Sequence, residues 1–316
     1  YVKHFLFHSI GWVTLFFFNL IFINELLDKN RKYLNFEFFF YLLSFLFINF
    51  KFFRIGSYGT DLSAQIIILS IIPLIYTLYN FKKIEYIDKT NFNLVVILIT
   101  YLTTLKSFMI LNFLFLIPLI FFAKIKRIKL FLIPKTIFVS ILGLLLLVLI
   151  NVSYTGCAVY PVKQTCFEKK IEWSLKKDHV EKMSNWYQQW SKAGAGINYR
   201  VEDPKEYIKK LNWLPNWYEK YFLYKVKETL LGISFLALLV LSMYLFRSKK
   251  KLINLDLYSK RAIKIVSLIT FLLFLEWFFN HPALRYGGYH LLTTLIFIPI
   301  SIFLAKKKII NDKKQN

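Results

Sequence analysis

An all-α helical bundle that crosses a membrane about nine times is the fold class this sequence predicts, and composition, run length and charge placement each point to it. Of 316 residues, 57% are hydrophobic and 19% aromatic, with a mean hydropathy of +0.47. That lies above the apolar share of about half found in soluble domains. Apolar runs of about 17 to 23 residues recur along the chain, each long enough to cross a hydrocarbon core about 30 Å thick. Lipid offers no partner to backbone amides, so spans must be helices or a closed barrel, and these continuous runs lack a barrel's alternation. Disorder, collagen and a nucleic-acid-binding domain are excluded. The net charge of +24 sits mainly in short clusters between apolar runs, where it sets membrane orientation and needs no nucleic-acid partner.

The predicted segments are 5–27, 34–50, 62–80, 92–105, 107–123, 130–150, 229–246, 263–280 and 289–305. Lys and Arg in short loops collect on the cytoplasmic side. Five clusters hold 22 cations: Lys29, Arg31 and Lys32; Lys82, Lys83 and Lys89; Lys124, Lys126, Arg127 and Lys129; seven within 247–264; and five within 306–314. The short connections of the opposite face carry only Lys51, Arg54, Lys106 and Arg285. Residues 92–123 lie between two basic clusters and must therefore cross an even number of times. At 1.5 Å per residue they would reach about 48 Å as one helix, too long for one crossing but enough for two short ones. The expected structure is a helical hairpin turning at Thr103-Thr104-Leu105-Lys106-Ser107. Lys106 then sits at the outer surface, where snorkelling to headgroups is its ordinary role.

Three regions follow: N-terminal spans in 1–150, an extracytoplasmic loop with amphipathic helices in 151–228, and C-terminal spans with a basic cytoplasmic tail in 229–316. The chain begins at Tyr1 with a hydrophobic span that lacks a cleavage site, and it reads as a fragment missing its N-terminal portion. Cys157 and Cys166 are the only cysteines. Both fall in the outer loop, where thiols oxidise, and a disulfide between them is expected, the alternative being two unpaired small apolar residues. Residues 174–192 predict a helix, and Asp203-Pro204 starts another as cap and first-turn proline, before Pro215 interrupts. Five tryptophans lie between Trp173 and Trp217. Either they rest at the headgroups or their faces stack on sugar rings.

Ionisable groups at membrane depth are costly and mark candidate sites. On the outer side these are Arg54, Asp61, Lys106, Glu276, His281, Arg285 and His290, together with Tyr58 and Tyr286. Asp61 suits a carboxylate base, a ligand for a divalent metal, or a helix N-cap. Arg285 can grip two phosphate oxygens at once, or simply rest at the headgroups. Walker, nucleophile-elbow, His-Glu-x-x-His and Rossmann patterns are absent from the sequence, so ATP-driven transport and soluble-type hydrolysis lack support.

Gly156-Cys157-Ala158-Val159-Tyr160-Pro161, Thr165-Cys166-Phe167, Trp173-Ser174 and Arg285-Tyr286-Gly287-Gly288-Tyr289 resemble an uncharacterised family of bacterial polytopic proteins that tends to accompany surface-polysaccharide genes. The hairpin at Thr104-Leu105-Lys106-Ser107 is similar to one in GT-C glycosyltransferases. The resemblance implies a bacterial inner-membrane enzyme that transfers a sugar from a polyprenyl-phosphate donor to a polysaccharide or glycan acceptor. Lys106, Arg285 and Arg54 would then hold the lipid phosphate. Asp61 would act as base or metal ligand, and Tyr160, Trp173, Trp186, Trp190, His281 and Tyr286 would contact the acceptor. The essential acid of GT-C enzymes lies in a first outer loop that would precede Tyr1, so it maps to no position here. Two other expectations are a non-enzymatic carrier for a lipid-linked saccharide, using the same groups to guide an anionic head, and a polysaccharide polymerase. The polymerase would need long outer loops rich in arginine, whereas residues 151–228 hold only Arg200.

Overall fold

The computed structural model describes residues 2–27, 35–51, 60–82, 87–128, 132–196, 199–246, 250–252 and 255–309. Arg54 and Tyr58 lie outside them. The architecture is all-α. Helices α1 (Val2–Leu27), α2 (Phe36–Phe50), α3 (Asp61–Tyr79) and α4 (Lys89–Leu105) are followed by a 3₁₀ helix over Ser107–Leu116 that runs into α5 (Ile117–Ile128), and then by α6 (Pro134–Thr155). The loop region holds α7 (Lys177–Ser191), α8 (Pro204–Ile208) and α9 (Leu214–Trp217). A π-helical stretch, Tyr218–Val226, leads into α10 (Lys227–Phe246), and α11 (Leu257–Asn280), α12 (Leu284–Leu292) and α13 (Ile298–Ala305) complete the bundle. Two short antiparallel ribbons, Ala195–Gly196 with Tyr199–Arg200 and Lys250–Leu252 with Lys307–Ile309, lie outside the apolar helices.

Six described helical stretches are long and apolar enough to cross a membrane: Ser9–Leu27, Asp61–Tyr79, Pro134–Thr155, Leu214–Tyr244, Leu257–Asn280 and Leu284–Ala305. Phe36–Phe50, Lys89–Leu105 and Ser107–Phe122 are apolar but shorter. Helix α3 is apolar on all sides and is buried from Ser63 to Tyr79 with few gaps, as expected of the central helix of a bundle. Helix α6 is equally apolar yet buries only Thr136, and it exposes Phe138, Leu145, Leu149 and Ile150. A continuous apolar surface of this kind suits a lipid solvent rather than water. Several polar groups in the bundle find partners within the chain, whereas the hydroxyls of Ser44, Ser140, Thr294 and Ser301 are buried without one. Thr100, Thr103, Thr270 and Thr293 bond carbonyls one turn back on their own helices, and Asn19 and Asn49 exchange amide hydrogen bonds between α1 and α2.

The hairpin is present. Thr60 Oγ1 donates to the Leu105 carbonyl at 2.8 Å, which fixes the end of α4 beside the start of α3. The returning 3₁₀ helix rises about 2 Å per residue, and it brings the Phe115 carbonyl to the Tyr79 hydroxyl, 2.6 Å away at the other end of α3. At that same end Arg261 Nη2 donates to the Tyr79 and Phe81 carbonyls at 3.0 and 2.6 Å, capping α3 with a guanidinium that also lies 4.3 Å from the Phe81 ring. The two ends of the bundle therefore differ: Asp61, Lys106 and residues 151–228 share one, and Arg261 lies at the other.

The residues that begin the loop form a compact knot over α6. Cys157 and Cys166 are joined by a disulfide. Gly156 caps α6 with φ +68°, and a side chain there would collide with Ser174. Its carbonyl accepts from Phe167 N at 2.9 Å and Ser174 Oγ at 3.2 Å. Leu175 N and Trp173 Nε1 reach back to the Thr155 and Val152 carbonyls. The last-turn carbonyls of α6 are thereby satisfied inside the chain. Pro215 does not interrupt a helix, as the sequence suggested. It sits in the first turn of α9, where its missing N–H costs nothing, and helix continues from there through α10.

Gly156→Ala should open this knot, because the left-handed backbone and the Ser174 contact both exclude a methyl group; together these cost about 1–3 kcal/mol or more. Limited proteolysis checks it, with new cleavage expected within 157–176 while the bundle remains resistant.

Candidate functional site

Three residues far apart in sequence meet at the loop-bearing end of the bundle. Asp61, the first residue of α3, places Oδ1 2.6 Å from Lys106 Nζ. Its Oδ2 accepts from Arg285 Nε at 3.0 Å and from Nη2 at 2.7 Å. The N-cap of α3 is Thr60, not Asp61. The Asp61 carboxylate faces cations rather than its own helix, although an acid in the first turn still suits the helix dipole. The Lys106 contact is an ion pair without hydrogen-bond alignment, so Oδ1 retains accepting capacity. Asp61 is 12% exposed at its side chain, against 26% for Lys106 and 45% for Arg285. One carboxylate against two cations leaves the cluster net positive, with the cations on its open side.

An aromatic wall stands beside it. Tyr286 lies 5.5 Å from the Arg285 guanidinium and 5.9 Å from Lys106 Nζ. Trp190, brought in by α7, lies 5.5 Å from Arg285 and 6.0 Å edge-on from Tyr286, and His281 and Phe108 meet Tyr286 edge-on. The backbone that presents Arg285 is held from several sides. Gln65 donates to the Leu284 and Arg285 carbonyls, Trp217 to Pro282 and Trp277 to Ala283, and Leu284 N–H donates to the Tyr221 hydroxyl. Gly287 packs where any side chain would strike the Trp277 ring.

Of the expected site residues, Asp61, Lys106, Arg285, Trp190, His281 and Tyr286 converge. Tyr160 packs instead against the disulfide, Trp173 caps α6, and Trp186 stacks edge-on with Tyr187. Trp213 and Trp217, read from sequence as interfacial or sugar-stacking, are buried against Phe278 of α11. Sequence reasoning overlooked Lys192. It caps α7, is 3% exposed and lies 5.2 Å from the Trp213 ring. Among the described residues no group of three or more His, Cys, Asp or Glu is gathered to hold a metal, and the two cations on Asp61 oppose a third.

Burial, with the Lys192 charge as second cause, pushes the His281 imidazole down to about 4, and burial pushes Lys192 down to about 8. His281 is therefore neutral at pH 7. Its folded value lies below its ordinary one of about 6.5, so the unfolded chain takes the proton first. The stabilisation is complete above pH 6.5 and is lost as pH falls towards 4. Thermal unfolding of wild type and His281→Gln in detergent should run parallel above pH 6.5, with wild type falling more steeply between pH 6.5 and 4.

A family model described as a domain of unknown function, DUF8201, matches residues 2–310. No curated protein and no solved structure matches the chain.

Proposed function

The chain belongs to the DUF8201 family, and from the geometry of the site we propose that it is a membrane-embedded transferase, moving a sugar from a polyprenyl-phosphate donor to a cell-surface glycan. The supporting observation is the pair of cations held by one largely covered carboxylate at the rim of an apolar bundle. Arg285 engages Asp61 through Nε and Nη2, which leaves Nη1 for a phosphate oxygen, with Lys106 beside it. Such donors act most strongly where water is sparse, since they stabilise the charge that develops on a departing phosphate. The lipid tail would lie along the exposed apolar helices, while Trp190 and Tyr286 offer ring faces to a sugar. Asp61 is a positioning residue in this reading, because its charge is already shared between two cations.

The same reading places residues 151–228 and the Lys106 turn outside a bacterial inner membrane and the basic clusters inside, with the three shorter apolar helices completing nine segments. A carrier for a lipid-linked saccharide is the second reading. The pairing of Asp61 with both cations favours it, because that carboxylate is engaged in holding the cluster together.

Two experiments test these proposals. A single cysteine at Ser107 should be labelled from the same side as one at Lys205, and opposite to one at Lys260; labelling of Ser107 from the Lys260 side refutes the hairpin topology. Arg285→Ala should lower lipid-linked donor binding and glycan product at least tenfold without loss of folding, and Arg285→Lys should lose less, since it keeps charge but not the planar contact. Binding that depends on Arg285 with no product from wild type selects the carrier. Unchanged binding and product in both variants leave Arg285 as a headgroup anchor.

A further inference from the structure

Lys192 is a buried cation with no carboxylate partner among the described residues: it is 3% exposed, and no carboxylate of theirs lies within ion-pair distance of its ammonium. The Trp213 ring at 5.2 Å gives it a cation–π contact, worth far less than the hydration it has lost. A buried charge without a counter-ion is costly, and an apolar side chain would fill the same space beside Trp213 at lower cost. The position leads directly to the site described above. Lys192 lies two residues after Trp190, which stacks on Arg285; the Trp213 ring it faces packs edge-on against Trp217, whose N–H donates to the Pro282 carbonyl, next to His281, whose ring meets Tyr286. Tyr286 in turn touches both Arg285 and Lys106. The His281 ring makes no hydrogen bond among the described residues and is free to donate or accept.

We propose that Lys192, with His281 beside it, forms a second anion station of this site, so that the headgroup it takes carries two negative groups rather than one. The proposal rests on the reading that Arg285 and Lys106 hold a lipid phosphate. The second charge has two chemical sources: a second phosphate in a diphosphate linkage, or the carboxylate of an acidic sugar on a single phosphate.

The test measures binding of the full chain, in nanodiscs, to three lipids: polyprenyl monophosphate, polyprenyl diphosphate and polyprenyl phosphate bearing a uronic acid. Wild type should bind one of the latter two about tenfold or more tightly than the monophosphate, and which one identifies the source. Lys192→Met keeps the stem and removes the charge. It should abolish that preference while leaving monophosphate affinity within about twofold, and should leave the melting temperature of the ligand-free protein unchanged or raised, because an uncompensated charge has gone. Equal wild-type affinity for all three lipids overturns the second station, as does a Lys192→Met variant that melts earlier and loses all three lipids equally, the pattern of a structural lysine. Arg285→Ala separates the two claims. If it leaves monophosphate binding intact, the underlying reading of the site fails whatever Lys192 does.

Discussion

Along the middle of this bundle there is no water to receive a hydrogen bond, and that constraint organises most of what the chain does with its polar groups. Threonines bond back onto their own helices, and Asn19 pairs with Asn49 across two helices. Helix ends, where carbonyls would otherwise be left bare, are closed by side chains brought from a distance: Arg261 on α3, Trp173 and the disulfide knot on α6. Charges are confined to the two ends. At the rim Asp61 meets two cations at once, and there the chain leaves both partly open and a third buried nearby.

The broad architecture was legible because lipid imposes a simple code. Run length gave the helices, and the alternation of basic loops required the turn at Lys106, which is where Thr60 bonds Leu105. The disulfide followed from two cysteines in one loop. Long-range pairing was not legible. Asp61 and Arg285 are 224 residues apart, and from local sequence Asp61 suited an N-cap as well as a site. The tryptophans misled for a related reason: an indole suits a headgroup, a sugar or a core equally. Trp217 became core because its N–H reaches Pro282 while its ring packs on Phe278. Lys192 gave no signal, because one lysine in a polar loop reads as solvated until the fold covers it.

Asp61 illustrates how a residue's neighbours add a role that its local sequence does not show. An acidic side chain near membrane depth invites the role of base or metal ligand. With Lys106 and Arg285 both on it, the carboxylate is also the internal anion that holds two cations together. An arriving phosphate would meet cations already gathered, so little side-chain ordering remains for it to impose.

The clamp around residues 281–285 has an evolutionary corollary. Gln65, Trp217, Tyr221 and Trp277 all bind its main chain rather than its side chains. The platform is therefore indifferent to which side chains it displays outward. A substitution at position 285 or 286 would change the charge or ring surface that the rim presents while these main-chain hydrogen bonds remain available. Related chains could vary the chemistry of this rim through such exchanges alone, keeping an unchanged scaffold beneath it.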